Sequence, residues 1–545
     1  MAKRLNRKSE QRLDRVRRAL AEGRSGDAWA EARQLLAGRV SGAMILNLAG
    51  IAAFQCDEVD QARDLLTTAV ERAPKDADIR MNLGNVLTAC GDAAAALDAY
   101  TTAHDLAPDN PEPAYNAGIM LSRQRRHADA VIWFRRALER DADHVQAAIG
   151  CADALHQAGD LAAAKEALEE LIARRPKDAV ALTNLSAVWN AMGDDDQARD
   201  AANKAIEHDP GLAAAHFNLG VALQGLGEHL AAIEGYRYAL ALEPGHAAAA
   251  LNLGEASHTL GKTDDAAHAY ARALDIDPGF AMAAVNLADI ALAAGRPAEA
   301  LAEIEKFLRH SPGHPGALAF KAFALLDQGR VDEARLLTDP DRFIIQRRVG
   351  TPDGYADMQA FNHALSSHVL AHPTLTPSPK AHATRKGRHS GELLSAPLGP
   401  MATFRDEVLS AFQAYRRRFI GEAAHPFLDR CPDQVTLSVW GVVMDTDGHQ
   451  VPHIHPAAWL SGVYYVEVPE SIGVDDPDHG GWIEFGRPPA DIHAAHDPDV
   501  RLYRPEAGLM LLFPSHFYHR TVPLKGQARR ISIAFDVMKE AGEPA

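Results

Sequence analysis

The sequence predicts a multidomain chain: an all-α solenoid of helix–turn–helix units over residues 1–340, then a mainly-β sandwich or jelly roll with flanking helices over 341–545. Three observations carry this. Small residues and proline recur every 34 positions in the first part, and short β-branched and aromatic runs take over after Gln434. A length of 545 residues is also several times that of one ordinary domain.

Composition limits the functional classes. With 47% hydrophobic and 24% charged residues the chain is globular, not disordered. A net charge of −17 argues against nucleic acid as the main partner, because phosphate binding needs a basic face. The eight Lys/Arg among the first 18 residues read as a solvated helix start. The longest apolar runs, such as Gly508–Phe513, are too short to span a bilayer, so no membrane role is expected. No apolar stretch follows the basic N-terminus, and Cys56, Cys90, Cys151 and Cys431 form no CxxC pair. These features point to a cytoplasmic protein with buried thiols.

In the first part, proline recurs at 74, 108, 176, 210, 244, 278 and 312, and alanine at 28 and every 34 residues on to 334 without a miss. Glycine marks 23, 91, 159, 193, 227, 261, 295 and 329. Each type has a reason to recur. Glycine ends the first helix of a unit where a left-handed residue is needed, alanine lets two helices approach, and proline stops the second helix. The run Asn218-Leu-Gly-Val-Ala-Leu, Gly227, Ala232, Tyr236, Ala239, Pro244 resembles the tetratricopeptide repeat, and the resemblance covers roughly residues 9 to 340. It implies a superhelix whose concave face binds a protein or peptide.

Asparagine also keeps the phase, at Asn82, Asn116, Asn184, Asn218, Asn252 and Asn286, near the middle of each first helix. Asparagine is a poor mid-helix residue, so its recurrence needs a reason. One reading is a consensus residue bonding a neighbouring helix. The other is a ladder of amides that holds the backbone of an extended peptide, similar to the asparagine ladder in the repeat domain of the O-linked GlcNAc transferase.

The phase fades after Ala334. A Pro-, Ser- and Gly-rich stretch near 373–400 reads as a surface connection or lid, and Met401–Phe419 as a helix with Phe404, Val408, Phe412 and Tyr415 on one side. The strand candidates are Val435–Met444, Trp459–Val468, Trp482–Phe485, Gly508–Phe513 and Arg530–Met538. Of 26 histidines, 14 lie beyond residue 340. His453 and His455, two apart in extended chain and entering a strand, point to the same side and make two corners of a metal site. His479, His493 and His496 read as solvent-exposed loop residues, and His516 as facing away from the pair. A hairpin centred near Leu524 and Lys525 would set His519 opposite Arg530, with Ser532 on the same face. Arginine is the residue for bidentate recognition of a carboxylate.

His453-x-His455, the distal His519 and Arg530-x-Ser532 resemble the Fe(II)- and 2-oxoglutarate-dependent oxygenases. Ser461-Gly-Val-Tyr-Tyr-Val466, Phe513-Pro-Ser515 and Arg530-Ile-Ser-Ile533 are similar to a bacterial oxygenase family distantly related to prolyl hydroxylases. The resemblance implies a double-stranded β-helix (jelly roll) with its metal-site core at about 434–538. It also implies Fe(II) on His453, His455 and His519, with O2 and 2-oxoglutarate as co-substrates. The distal carboxylate of 2-oxoglutarate would lie on Arg530 and Ser532, with Tyr465 as a further candidate contact. The superfamily has a carboxylate where this chain has His455, which leaves three readings open: a three-histidine iron centre, a site that His455 does not ligate, or a site without metal. The leading functional reading is hydroxylation of a peptide or protein side chain captured by the repeats. The rival is a non-catalytic scaffold with a degenerate jelly-roll binding module.

Overall fold

A computed structural model describes residues 7–540 apart from 39–40, 379–382, 396, 420–424, 475, 497–498 and 525–528. The chain divides into two compact units, 1–244 and 245–545. Among the described residues, no helix is long and apolar enough to cross a membrane.

The first unit is built from alternating helices of about one repeat half each, from Arg7–Ala21 to His229–Leu242. The periodic residues have separate tasks. Every in-phase alanine from Ala28 to Ala232 is 0% exposed, as are Ala266, Ala300 and Ala334 of the second unit. A side chain of any larger size would separate the helices it joins. The eight in-phase glycines all have left-handed backbone, with φ between 66° and 84°. Where the phase lacks glycine, the conformation persists: Asp57 has φ 64° and Arg125 φ 59°. Tertiary packing therefore imposes the left-handed turn even where the residue resists it. Packing is completed by small-to-large matches such as Gly118, where a Cβ would come within 2.7 Å of the buried Phe134 ring.

The second unit opens with three further helix pairs, Ala247–Thr259 to Val331–Thr338, and continues into a curled antiparallel sheet. Its strands are β1 (Ile345–Arg348), β2 (Thr376–Pro377), β3 (Thr384–His389), β4 (Val435–His453), β5 (Leu460–Glu467), β6 (Ile483–Phe485), β7 (Arg501–Tyr503), β8 (Leu509–Pro514), β9 (His519–Thr521) and β10 (Arg530–Lys539). The order is β1-β8-β5-β10-β4-β9-β6-β7, with β3 also on β4 and β2 on β3. This is a jelly-roll-like arrangement. The long β4 serves both halves: Val435–Met444 pairs with β10, while Gln450 and His453 pair with β9.

Alternation along β10 separates core from cavity. Ile531, Ile533, Phe535 and Val537 are buried, and Phe535 meets Phe404 of the helix Met401–Arg418 with ring centroids 6.3 Å apart. That helix buries Phe404, Val408, Phe412 and Tyr415, the four residues its periodicity predicts. Phe412 and Tyr415 stand edge-on to Trp459, at 6.0 and 6.1 Å. The even-numbered residues of β10 face the opposite way.

Three expectations change here. The stretch 373–400 is in part sheet, since β2 and β3 extend β4 at its edge, and 379–382 and 396 lie outside the described residues. Of the four cysteines, Cys151 is buried but Cys56, Cys90 and Cys431 are half-buried. His493 is exposed as expected, but His496 is half-buried and so is His479, which stacks on Trp482 at 4.7 Å. The His493 backbone N–H donates to Asp289, those of Ala495 and His496 donate to Asp327, and both imidazoles lie against the same carboxylates.

Candidate metal centre

The hairpin expected to join His519 to Arg530 does not form. β9 and β10 pair with successive stretches of β4 and not with each other, so Arg530 pairs with Met444 while His519 pairs with His453. The reason is strand length: β4 spans 19 residues, enough to give β10 and β9 each its own stretch of one edge while β3 takes the other. The histidine pair also sits at the end of β4 and not at the start of a strand. His455 is held beyond that end by its N–H donating to the Ser515 carbonyl, at 3.0 Å.

These connections bring His453, His455 and His519 together, with one ring nitrogen of each within 4.8 Å of the others. Their hydrogen bonds decide which nitrogen that is. Nδ1 of His453 lies 2.9 Å from the Val451 carbonyl, and Nδ1 of His519 lies 3.0 Å from the Phe517 carbonyl. Nδ1 of His455 lies 2.6 Å from Asp536 Oδ1. Carbonyls and carboxylates only accept, so each Nδ1 carries a proton and Nε2 is the ring nitrogen left to face the cluster. Burial, followed by the neighbouring imidazoles, lowers His453 to about 4 and His519 well below the ordinary range. These two are neutral at neutral pH, the state in which imidazole ligates a metal. Three oriented nitrogen donors from two strands and the segment between them fit a first-row transition ion such as Fe(II).

The same cavity is lined by Arg530, Ser532 and Tyr465, together with Trp440, Val442, Gln450, Ile483, Phe513 and Thr521. Register explains the grouping: Ser532 faces Val442 on one side and Tyr465 on the other. Arg530 is 3% exposed. Nη1 donates to the Gly481 carbonyl at 2.6 Å and Nη2 to Thr521 Oγ1 at 3.2 Å, while Nε is buried with no partner among the described residues. Among the described residues no carboxylate pairs with it. Burial holds the guanidinium below its ordinary pKa, and burial pushes the Tyr465 phenol up to about 12. A second, wider pocket shares Trp440, Gln450, His453 and His455 and runs out past His389 and Glu392.

Neighbouring polar side chains are engaged elsewhere. His516 Nε2 lies 2.9 Å from the Leu337 carbonyl, which can only accept, so that nitrogen donates and is no free ligand. Tyr464 donates to Asn362 and packs on Phe404. Arg529 pairs with Glu467 at 3.0 Å, Asp445 with Arg388 and Asp447 with Lys386. Among the asparagines, Asn82 Nδ2 donates to Asn47 Oδ1 at 3.0 Å. Asn218 is buried and donates to the Thr183 carbonyl at 2.9 Å, and Asn286 bonds Tyr270. Such bonds stitch one helix to another, as the consensus reading expects. Asn116, Asn184 and Asn252 are half-buried.

Sequence reasoning missed Asp536, which accepts from both His455 Nδ1 and Ser461 Oγ at 2.6 Å. A signal was present: 530, 532, 534 and 536 share one face of a strand.

Residues 438–536 match the family model described as "Putative 2OG-Fe(II) oxygenase". Six stretches between residues 47 and 340 match two models described as tetratricopeptide repeat. No curated protein matches the chain. Similar solved structures include a tetratricopeptide repeat protein from Parabacteroides merdae, 18% identical with TM-score 0.38, covering 46% of this chain and 98% of that one. Another is a thermophilic repeat protein of Thermus thermophilus, 25% identical with TM-score 0.31, covering 33% of this chain and 99% of that one.

Proposed function

We propose that this chain, a tetratricopeptide repeat array joined to a 2OG-Fe(II) oxygenase domain, is an Fe(II)- and 2-oxoglutarate-dependent oxygenase that hydroxylates a peptide or protein side chain. One observation carries the reading. Three Nδ1-anchored imidazoles share a cavity with a buried guanidinium that has no carboxylate partner among the described residues. An uncompensated buried charge costs several kcal/mol, which a bound anion offsets.

Fe(II) with 2-oxoglutarate and oxygen supplies oxidative decarboxylation to succinate and carbon dioxide, coupled to hydroxylation of a C–H bond. The chain's own residues do the rest. His453, His455 and His519 hold the ion through Nε2. Arg530 offers its unused Nε–H to the distal carboxylate of 2-oxoglutarate, and the Ser532 hydroxyl and Tyr465 phenol line the same cavity. Trp440, Val442, Ile483 and Phe513 keep water from the reacting groups. The wider pocket past His389 admits the substrate.

The repeats capture the partner. Asn116 and Asn184 are the positions at which to test an amide contribution, because Asn82 and Asn218 spend an amide hydrogen inside the array. The deciding experiment is succinate release from 2-oxoglutarate by anaerobically Fe(II)-loaded protein exposed to oxygen. Uncoupled turnover is expected in the native protein, and none in His519→Ala. Arg530→Ala should keep the iron and bind 2-oxoglutarate at least 30-fold more weakly, from the loss of about 2 kcal/mol or more in charge-assisted hydrogen bonding. Neither iron binding nor succinate would leave the scaffold reading.

A further inference from the structure

The His455–Asp536 pair goes beyond the three ligands. A facial triad of two histidines and one carboxylate places one negative charge on the metal. Here all three corners are imidazoles, and none is a carboxylate. The missing charge has not left the site. Asp536 Oδ1 lies 2.6 Å from His455 Nδ1, on the side of the ring away from the shared donor cluster, and the Ser461 hydroxyl donates to the same oxygen. The register makes the placement firm: on β10, Asp536 pairs with Ser438 on β4 and Ser461 on β5. Trp440 stacks on the His455 ring at 5.7 Å and covers it. A carboxylate behind a ligating histidine fixes its tautomer and raises its basicity.

We propose that Asp536 is a positioning residue that supplies, through His455, the negative charge that a directly ligating carboxylate supplies elsewhere. The inference rests on the metal-centre reading above. It makes a prediction that a purely structural role does not. In the native background, Asp536→Asn keeps an acceptor for both hydrogen bonds but removes the charge, so affinity for the metal falls. In a His455→Asp background the carboxylate is back on the metal and Asp536 becomes a like charge beside it, so Asp536→Asn raises affinity.

The test is anaerobic titration with Co(II), followed by its visible absorption, with competition by Fe(II), in native protein, Asp536→Asn, His455→Asp and the double variant. Melting temperatures of the metal-free proteins report folding. The expected result is a 10- to 100-fold weaker Kd for Asp536→Asn in the native background, with the opposite sign in the His455→Asp background. Loss of affinity in both backgrounds, or no loss in the native one, overturns the proposal while leaving the metal centre intact. Absence of Co(II) and Fe(II) binding in the native protein overturns the metal centre itself. If His455→Asp binds no cobalt with either residue at 536, the native pair decides alone, provided its melting temperatures agree.

Discussion

In the first unit a side chain meets its partner a short, repeated distance away. Gly118 meets Phe134, and Asn82 meets Asn47, 35 positions back. In the sheet domain the distances are long and unequal: His455 meets Asp536 across 81 positions, and Tyr464 meets Asn362 across 102. A solenoid sums nearest-neighbour contacts, so a defect there is absorbed locally. The sheet closes only when distant strands find one another, so its site exists as a whole or not at all. The helices carry mass and periodicity, whereas the strands carry chemistry.

The sharpest way to break this contrast is Phe134→Ala. The ring is fully buried between Gly118 and Gly150, and its loss should cost about 3–5 kcal/mol. Denaturant unfolding followed by circular dichroism should show the first unit weakened, with Co(II) affinity at the histidines unchanged. A parallel fall in affinity would mean that damage is not local.

The next effect belongs to the sheet domain. His516 is fully buried, and burial lowers it to about 4 from an ordinary value of 6.5. The unfolded chain therefore takes up a proton at that residue as pH drops below 6.5, while the folded one does so only near 4. Stability falls through that window by about 3 kcal/mol and levels off below it. His516→Leu should flatten the slope by about one proton in urea titrations from about pH 7 to 4. An unchanged slope would assign the acid sensitivity elsewhere.

The smallest effect returns to the repeats. Arg125 occupies a left-handed position that eight glycines hold elsewhere in phase. Arg125→Gly should raise stability by about 1 kcal/mol, after the extra chain entropy of glycine is subtracted. A drop in melting temperature would show that the arginine side chain makes a compensating contact.

Much of the candidate site was legible for the same reason that the helices were. Arg530 and Ser532 share a strand face, and His453 and His455 are two apart, so alternation alone grouped each pair. What alternation cannot say is which strand lies beside which. The simplest closure, a hairpin from His519 to Arg530, failed because each strand took its own stretch of β4 as partner. Asp536 was on the readable face of β10, yet nothing local ties it to His455. The docking of His493 and His496 on Asp289 and Asp327 was equally hidden, since polar loop residues look alike whether solvated or bound.

By itself, then, the sequence determined the repeat period, the ends of most helices and the left-handed turns that glycine marks, all of which depend on contacts within about one repeat. It also determined which residues along each strand face the same way. Only the tertiary structure decided that β9 and β10 each pair with their own stretch of β4, that three imidazoles anchored at Nδ1 meet, and that a carboxylate stands behind one of them. Those outcomes depend on strand pairing across many tens of residues, where the pairing energy comes from burial on both faces of the sheet and not from any neighbouring residue.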